Sequence, residues 1–333
     1  MAADKRAVMQ APCDWHQPLL AEWLRRAGDG SLAHALLLGG PAGIGKVRLA
    51  QALQQGLLCQ QPQGGLACGQ CRPCHQLSAG SHPDARQLTL LPDKSQISIE
   101  QIRELIDFFT RSAQYGGARV ALIQPAEKLN RSAQNALLKT LEEPGAGAFL
   151  ILVSDQPSRL LATVRSRCQQ HLLPLPPGAA AESWLAERLP QADTAGALLA
   201  AAGGAPLKAL AWQDADWFQA RGKILSQCLA VVEGQTPASV AAKALAAYDA
   251  LPLLAALHGW IMQAWRPEQG DADLQPRLAA LLAHVGPRRL LAFAGHLQRA
   301  RQLAQSGANP NATLLWERLL LLLAGVDAMA GAF

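Results

Sequence analysis

Aromatic residues are scarce, 5% of 333 positions, and charged residues make up only 17%. No charge of one sign dominates: 30 basic and 25 acidic side chains leave +5, too weak a balance to argue for nucleic acid by itself. The opening MAADKRAVMQ lacks the apolar core of a signal peptide. The longest apolar run, Leu319–Val326, is far short of a membrane span. Seven cysteines in this length do not make a disulfide scaffold. The expectation is a soluble, cytoplasmic protein in a reducing compartment, with no glycan on the sequons at Asn130 and Asn311. Half of the residues are hydrophobic, mostly Leu and Ala, so a sizeable core and many helices are expected. The length suggests two or three domains.

Up to about residue 175, short apolar runs alternate with helical patterns. The runs are Ala35–Leu38, Arg119–Ile123 and Phe149–Val153, and helices are expected over Lys46–Leu58, Ile99–Thr110 and Ser132–Glu143. This alternation predicts an α/β layer with a parallel sheet. Pro174, Pro176 and Pro177 read as a linker. Beyond it the chain has helical period, broken at 203–206, 234–237, 267–273 and 307–310. Three domains are expected: 1–175 (α/β, with an insert at 59–74), 178–213 (small and helical) and 214–333 (all-helical).

Ala35-Leu-Leu-Leu38 runs into Gly39-Gly-Pro-Ala-Gly-Ile-Gly45-Lys46 and then into a helix. A G-x-x-x-x-G-K loop between strand and helix aims backbone N–H groups and a helix N-terminus at phosphate. Gly40, Gly43 and Gly45 let the backbone wrap an anion, and Lys46 supplies the charge. Hydrolysis is another matter. Mg²⁺ wants a hydroxyl after the lysine, where Val47 stands. It also wants an acid after a later strand, where Gln124 follows Val120–Ile123. Glu127 lies nearby and reads as a capping or solvated residue. Both losses hit the same ion, so metal-assisted phosphoryl transfer is not expected.

Cys59, Cys68, Cys71 and Cys74 have the spacing C-x8-C-x2-C-x2-C. Short C-x-x-C spacings let thiolates converge on one tetrahedral ion, which points to a closed structural zinc site. An iron–sulfur cluster, a redox pair and free thiols compete with that reading. His75 and His82 lie close by, although Pro83 gives His82 a turn role. Past the last apolar run, a helical stretch Ser158–Val164 precedes Arg165-Ser-Arg-Cys168. A surface arginine is usually a solvated charge, but Arg167 sits beyond the sheet of a phosphate-loop domain, where a guanidinium can reach a neighbour's phosphate.

His34–Leu38, the phosphate loop, the four-cysteine insert, Asn135-Ala-Leu-Leu-Lys-Thr-Leu-Glu-Glu-Pro144 and Ser166-Arg167-Cys168 occur here in that order. Together they resemble bacterial clamp-loader subunits, of AAA+ type, closely over 1–175 and loosely beyond. The resemblance implies an AAA+ domain, a small helical lid and a helical collar. In that family the motor subunits keep the hydroxyl and the acid that Val47 and Gln124 replace. The chain therefore resembles a non-hydrolysing member of DNA polymerase III's clamp loader, with no polymerase chemistry of its own. Gly40, Gly43, Gly45 and Lys46 become a vestigial phosphate loop, with ATP and Mg²⁺ not turned over. Cys59, Cys68, Cys71 and Cys74 hold zinc, and Arg167 is an arginine finger acting in trans. Leu207, beside Lys208, falls where motor subunits place a nucleotide-sensing arginine. Implied partners are the gamma/tau motor subunits and delta, with the sliding clamp and primer-template DNA reached through the complex, and no membrane.

Two other readings compete. A self-contained AAA+ ATPase would need the missing metal pair. A nucleic-acid-binding zinc module would need basic residues, and Cys68–Cys74 holds only Arg72. Leu314, Leu315, Leu319, Leu320, Leu323, Trp260, Trp265 and Trp316 are expected in the core. Arg288, Arg289, Arg299 and Arg301 are expected on a solvated helix face.

Overall fold

The structure, a computed structural model, describes residues 11–64, 66–115, 117–265, 271–305 and 310–326. Residues 1–10, Gly65 and most of the expected breaks at 267–273 and 307–310 lie outside them. The chain divides into two compact units, Met1–Leu175 and Pro176–Phe333.

The first unit runs α1 (Gln17–Gly28), β1 (Ala35–Gly39), α2 (Lys46–Leu58), α3 (Arg72–Ser78), β2 (Ala85–Leu88), α4 (Ile99–Thr110), β3 (Arg119–Ile123), α5 (Arg131–Glu142), β4 (Ala148–Ser154), α6 (Ala162–Arg165) and β5 (Gln169–Leu172). The strands form one parallel sheet in the order β2-β3-β4-β1-β5. Every residue of β1 and β3 is buried, as expected for parallel strands covered on both faces. Alternate side chains part company. Ala35, Leu37, Ala121, Ile123, Leu150 and Leu152 join a core with Leu105 and Phe108 of α4 and Leu137 and Leu141 of α5, while α2 packs against β3 and β4. Local signals start the helices: Ser98 and Gln101 form a capping box on α4, and the Asn130 side chain accepts from Ala133 N to begin α5.

The strands the sequence did not announce are β2 and β5. Both are sheet edges, half exposed and written in polar residues (Ala-Arg-Gln-Leu and Gln-Gln-His-Leu), so no apolar run marks them. The expected helix over Ser158–Val164 is not continuous. A 3₁₀ turn at Pro157–Arg159 and the short α6 are separated by extended Leu160 and Leu161, because Leu160 and Val164 both turn into the core.

The second unit is all-helical: α7 (Gly178–Ala186), α8 (Ala195–Ala201), α9 (Pro206–Ala211), α10 (Asp216–Gln219), α11 (Arg221–Val232), α12 (Ala238–Leu245), α13 (Ala250–Gln263), α14 (Gln275–Val285), α15 (Pro287–Gln305) and α16 (Ala312–Ala324). Helices α7, α8 and α9 pack on one another, α8 also meets α13, α13 lies along α15, and α12 lies along α16. Arg221 ties α11 to the segment before α14 through ion pairs with Asp271 (2.6 Å) and Asp273 (3.1 Å). Trp260, Trp316, Leu315, Leu319, Leu320 and Leu323 are buried as expected. Leu314 and Trp265 are not: they are 64% and 38% exposed. Leu314 lies in the first turn of α16, exposed beside buried Leu315 and Trp316, and Trp265 lies just past the end of α13. Arg288, Arg289 and Arg299 are solvated, whereas Arg301 is half-buried. No single helix among the described residues is long and apolar enough to cross a membrane.

The close approach of α8 and α13 depends on Gly259. A Cβ there would stand 2.7 Å from the Ala201 carbonyl oxygen and 3.3 Å from that of Ala200. These are backbone atoms, so the helices themselves must move. Gly259→Val is expected to cost about 1–3 kcal/mol, read as a lower urea midpoint with an unchanged slope. An unchanged midpoint would show that the two helices can separate without loss.

Candidate functional site

The carboxyl ends of the strands gather the phosphate loop, Gln124, Glu127 and Asp155, as open parallel sheets tend to arrange, whereas Arg167 lies at the amino end of β5. The phosphate loop leaves β1, Gln124 and Glu127 follow β3, Asp155 follows β4, and Arg167 precedes β5. Gly40 is indispensable to the loop's course. At φ +143° its added Cβ would meet the Leu173 carbonyl oxygen at 2.3 Å, because the chain beyond β5 crosses here and Leu173 N donates to Gly39 O (2.8 Å). Trp15 Nε1 donates to Ile44 O at 3.0 Å and fixes the far side of the loop.

Lys46 opens α2 with only 3% of its side chain exposed. Its Nζ donates to Gly40 O (2.8 Å) and Pro41 O (2.5 Å), and it pairs with Asp155 Oδ1 at 2.6 Å. An ammonium has three N–H donors, so every one of them is used. The sequence did not foretell this partner. Asp155 follows a strand without any motif around it, and the turn that presents it is local: Gln156 N donates to Ser154 Oγ at 3.1 Å. Asp155 N in turn donates to Glu127 Oε1 (3.3 Å), and Glu127 Oε2 is buried with no partner. Glu127 therefore supports the loop after β4, in place of the capping or solvated role expected of it. His16 is also buried, with both ring nitrogens unpartnered; burial, and then the Lys46 charge, lower it to about 4.

Val47 is half-buried and offers no oxygen. Gln124 stands directly after β3, its N–H bonded to Leu88 O (2.9 Å). The hydroxyl and the acid that would hold Mg²⁺ beside a phosphate are thus both replaced by groups without charge.

Arg167 lies on the rim, its side chain 36% exposed. Nε (2.8 Å) and Nη2 (2.5 Å) both bind Glu142 Oε1, and Nη1 donates to Thr163 O (3.0 Å). Its neighbour Cys168 belongs to the core, and burial pushes that thiol up to about 12. The buried cysteine anchors the strand entry and leaves the arginine outside. Helix α5 is the platform: it carries Glu142, and its buried Gln134 accepts from Leu161 N at 2.7 Å. Glu142 lies inside the Asn135–Pro144 stretch, yet its pairing with Arg167, 25 residues away, has no local sequence signal. In the second unit, Lys208 is half-buried over the Trp212 ring, 4.4 Å from its centroid; burial, then the Arg301 charge, lower it to about 8.

The cysteines converge as their spacing predicts. Cys59 caps the end of α2, Cys71 starts α3 and Cys74 lies within it. The four sulfurs all lie within 4.8 Å of one another, with Cys59 at 3.6 Å from Cys68 and 3.9 Å from Cys71. Around zinc with Zn–S of about 2.3 Å, tetrahedral geometry sets sulfurs about 3.8 Å apart. Against the desolvation of burial, hydrogen bonds from Cys74 and Gln60 bring Cys71 down to about 6, whereas burial pushes Cys74 up to about 12. Four thiolates this close repel one another unless a cation sits among them. The cluster is compatible with a structural zinc ion. His82 takes no part: its Nδ1 accepts from Asp84 N (3.0 Å), a turn contact.

A phosphate loop at the head of a five-stranded parallel sheet, followed by helices, defines an AAA+ type α/β protein. The profile of the family described as "DNA polymerase III, delta subunit" matches residues 15–176, and that of its C-terminal region matches 215–324. DNA polymerase III subunit delta' of Pseudomonas aeruginosa is 38% identical over 322 residues, 92% of this chain and 95% of that protein. The Escherichia coli K12 protein of the same name is 38% identical over 319 residues, 92% and 93% of the two chains. The tau subunit of Salmonella typhimurium is 36% identical over 141 residues, 42% of this chain and 22% of tau. The chain belongs to the delta' family of DNA polymerase III subunits.

The cysteine geometry sets an expectation for metal. The purified chain should carry about one zinc per molecule, and Cys71→Ser should lose it and melt at lower temperature. Metal content unchanged by that substitution would count against a four-sulfur site.

Proposed function

We propose that this chain is the non-hydrolysing subunit of the DNA polymerase III clamp loader, and that it presents Arg167 to ATP held by an adjacent motor subunit. The observation that carries the first half is the paired loss of Mg²⁺ ligands, Val47 and Gln124, beside a loop whose lysine already has three acceptors. For the second half, the support is the setting of Arg167. A surface ion pair is worth about 0–1 kcal/mol, so the Glu142 contact orders the guanidinium without holding it against a phosphate. Through the complex the chain helps load the sliding clamp on primed DNA, with gamma/tau and delta as direct partners, in the cytoplasm. Within the second unit, residues 178–213 act as the lid and 214–333 as the collar that holds the assembly. Zinc at Cys59, Cys68, Cys71 and Cys74 staples the insert and supplies no chemistry to ATP.

Two measurements test this reading. The chain alone should turn over ATP no faster than its Lys46→Ala variant; clear Lys46-dependent turnover would reverse the assignment to a self-contained ATPase. In the reconstituted complex, Arg167→Ala should leave assembly intact and cut turnover at the site it serves by roughly 10³-fold. The total clamp- and DNA-stimulated rate then falls by that site's share, and an unchanged rate would remove Arg167 from the mechanism.

A further inference from the structure

The missing Mg²⁺ ligands account for absent turnover. They do not account for absent binding, since a phosphate loop holds its anion mainly with backbone N–H groups and lysine. We infer that Asp155 is the resident anion of this loop, a built-in carboxylate that occupies the place of a polyphosphate and keeps such ligands out. The inference rests on the non-hydrolysing reading above and extends it from turnover to binding.

Three observations carry it. Lys46 is 3% exposed and Asp155 44%, so the carboxylate lies between the buried ammonium and solvent. The lysine's remaining contacts, Gly40 O and Pro41 O, belong to the loop itself and leave no free donor. Behind Asp155 lies the Glu127 carboxylate, with Oε1 on Asp155 N and Oε2 buried and unpartnered. An entering polyphosphate must therefore break a short ion pair and bring its charge toward two carboxylates. Removing the carboxylate leaves the buried Lys46 charge uncompensated. Neutralising Asp155 thus turns Lys46 into an anion acceptor in a loop already folded to cradle one, with Gly43 and Gly45 at positive φ. The ligand class is a nucleoside triphosphate or inorganic tripolyphosphate, bound without metal.

The test is calorimetric titration of the full chain with sodium tripolyphosphate, and separately with ATP, both free of Mg²⁺. The wild type is expected to bind neither more tightly than about millimolar. Asp155→Asn should bind both at least roughly tenfold more tightly, and Lys46→Ala/Asp155→Asn should return to the wild-type value. No gain in Asp155→Asn, or a gain that survives loss of Lys46, overturns the inference. If Asp155→Asn does not fold, the wild type decides. Tripolyphosphate should shift its melting temperature no more than that of Lys46→Ala, and a larger shift overturns the inference. Phosphate release with Mg²⁺, read in the same preparations, separates the two ideas. Turnover by Asp155→Asn shows that the missing Mg²⁺ ligands are not what stops hydrolysis and leaves the lock standing, while failure of tight binding sinks the lock alone.

Discussion

An ammonium withdrawn from water costs several kcal/mol unless a counter-charge meets it, and Lys46 is withdrawn almost completely. Its place is not optional. It is the first residue of α2, whose apolar stripe, Leu49 and Leu53, is fully buried. Burying that stripe carries Lys46 inward with it. The loop carbonyls bind the ammonium but carry no charge, so a carboxylate has to come from elsewhere. It comes from the end of β4, the strand beside β1. The sheet order therefore decides which residue can neutralise the lysine.

The same sheet separates two arginine and lysine chemistries by their exposure. Lys46 is enclosed, and its short pair with Asp155 meets solvent on the carboxylate side only. Arg167 lies in the screened rim, where its pair with Glu142 contributes little to stability but fixes a direction. Both cations are paired within the chain, yet only the second can exchange its partner at low cost. Helix α5 serves that second site, since Gln134 holds the approach to α6 and Glu142 holds the guanidinium.

Much of this was legible in the sequence. β1, β3, β4, α2, α4 and α5 fall within a residue or so of where apolar runs and helical period place them, because buried parallel strands and amphipathic helices write themselves in hydrophobicity. The four cysteines and the phosphate loop were legible because their chemistry demands short fixed spacings. The edge strands β2 and β5 were not, since an edge half open to water needs no apolar run. Asp155 and Glu142 were not legible either. Each partners a residue far along the chain, joined by strand order and helix packing, and a single carboxylate after a strand or at a helix end looks like any solvated charge. Leu314 and Trp265 fail for the opposite reason: an apolar residue carries the same letter whichever way it faces, and Leu314 is exposed beside buried Leu315 and Trp316 while Trp265 lies past the end of α13.

Helix α2 begins at the buried lysine and ends at Cys59, the first sulfur of the thiol cluster. Thirteen residues span about 20 Å, so the two knots sit at opposite ends of one rod. A rod clamped at both ends can neither roll about its axis nor slide along it. The thiol cluster and the phosphate loop thus share one mechanical element, the helix that joins them.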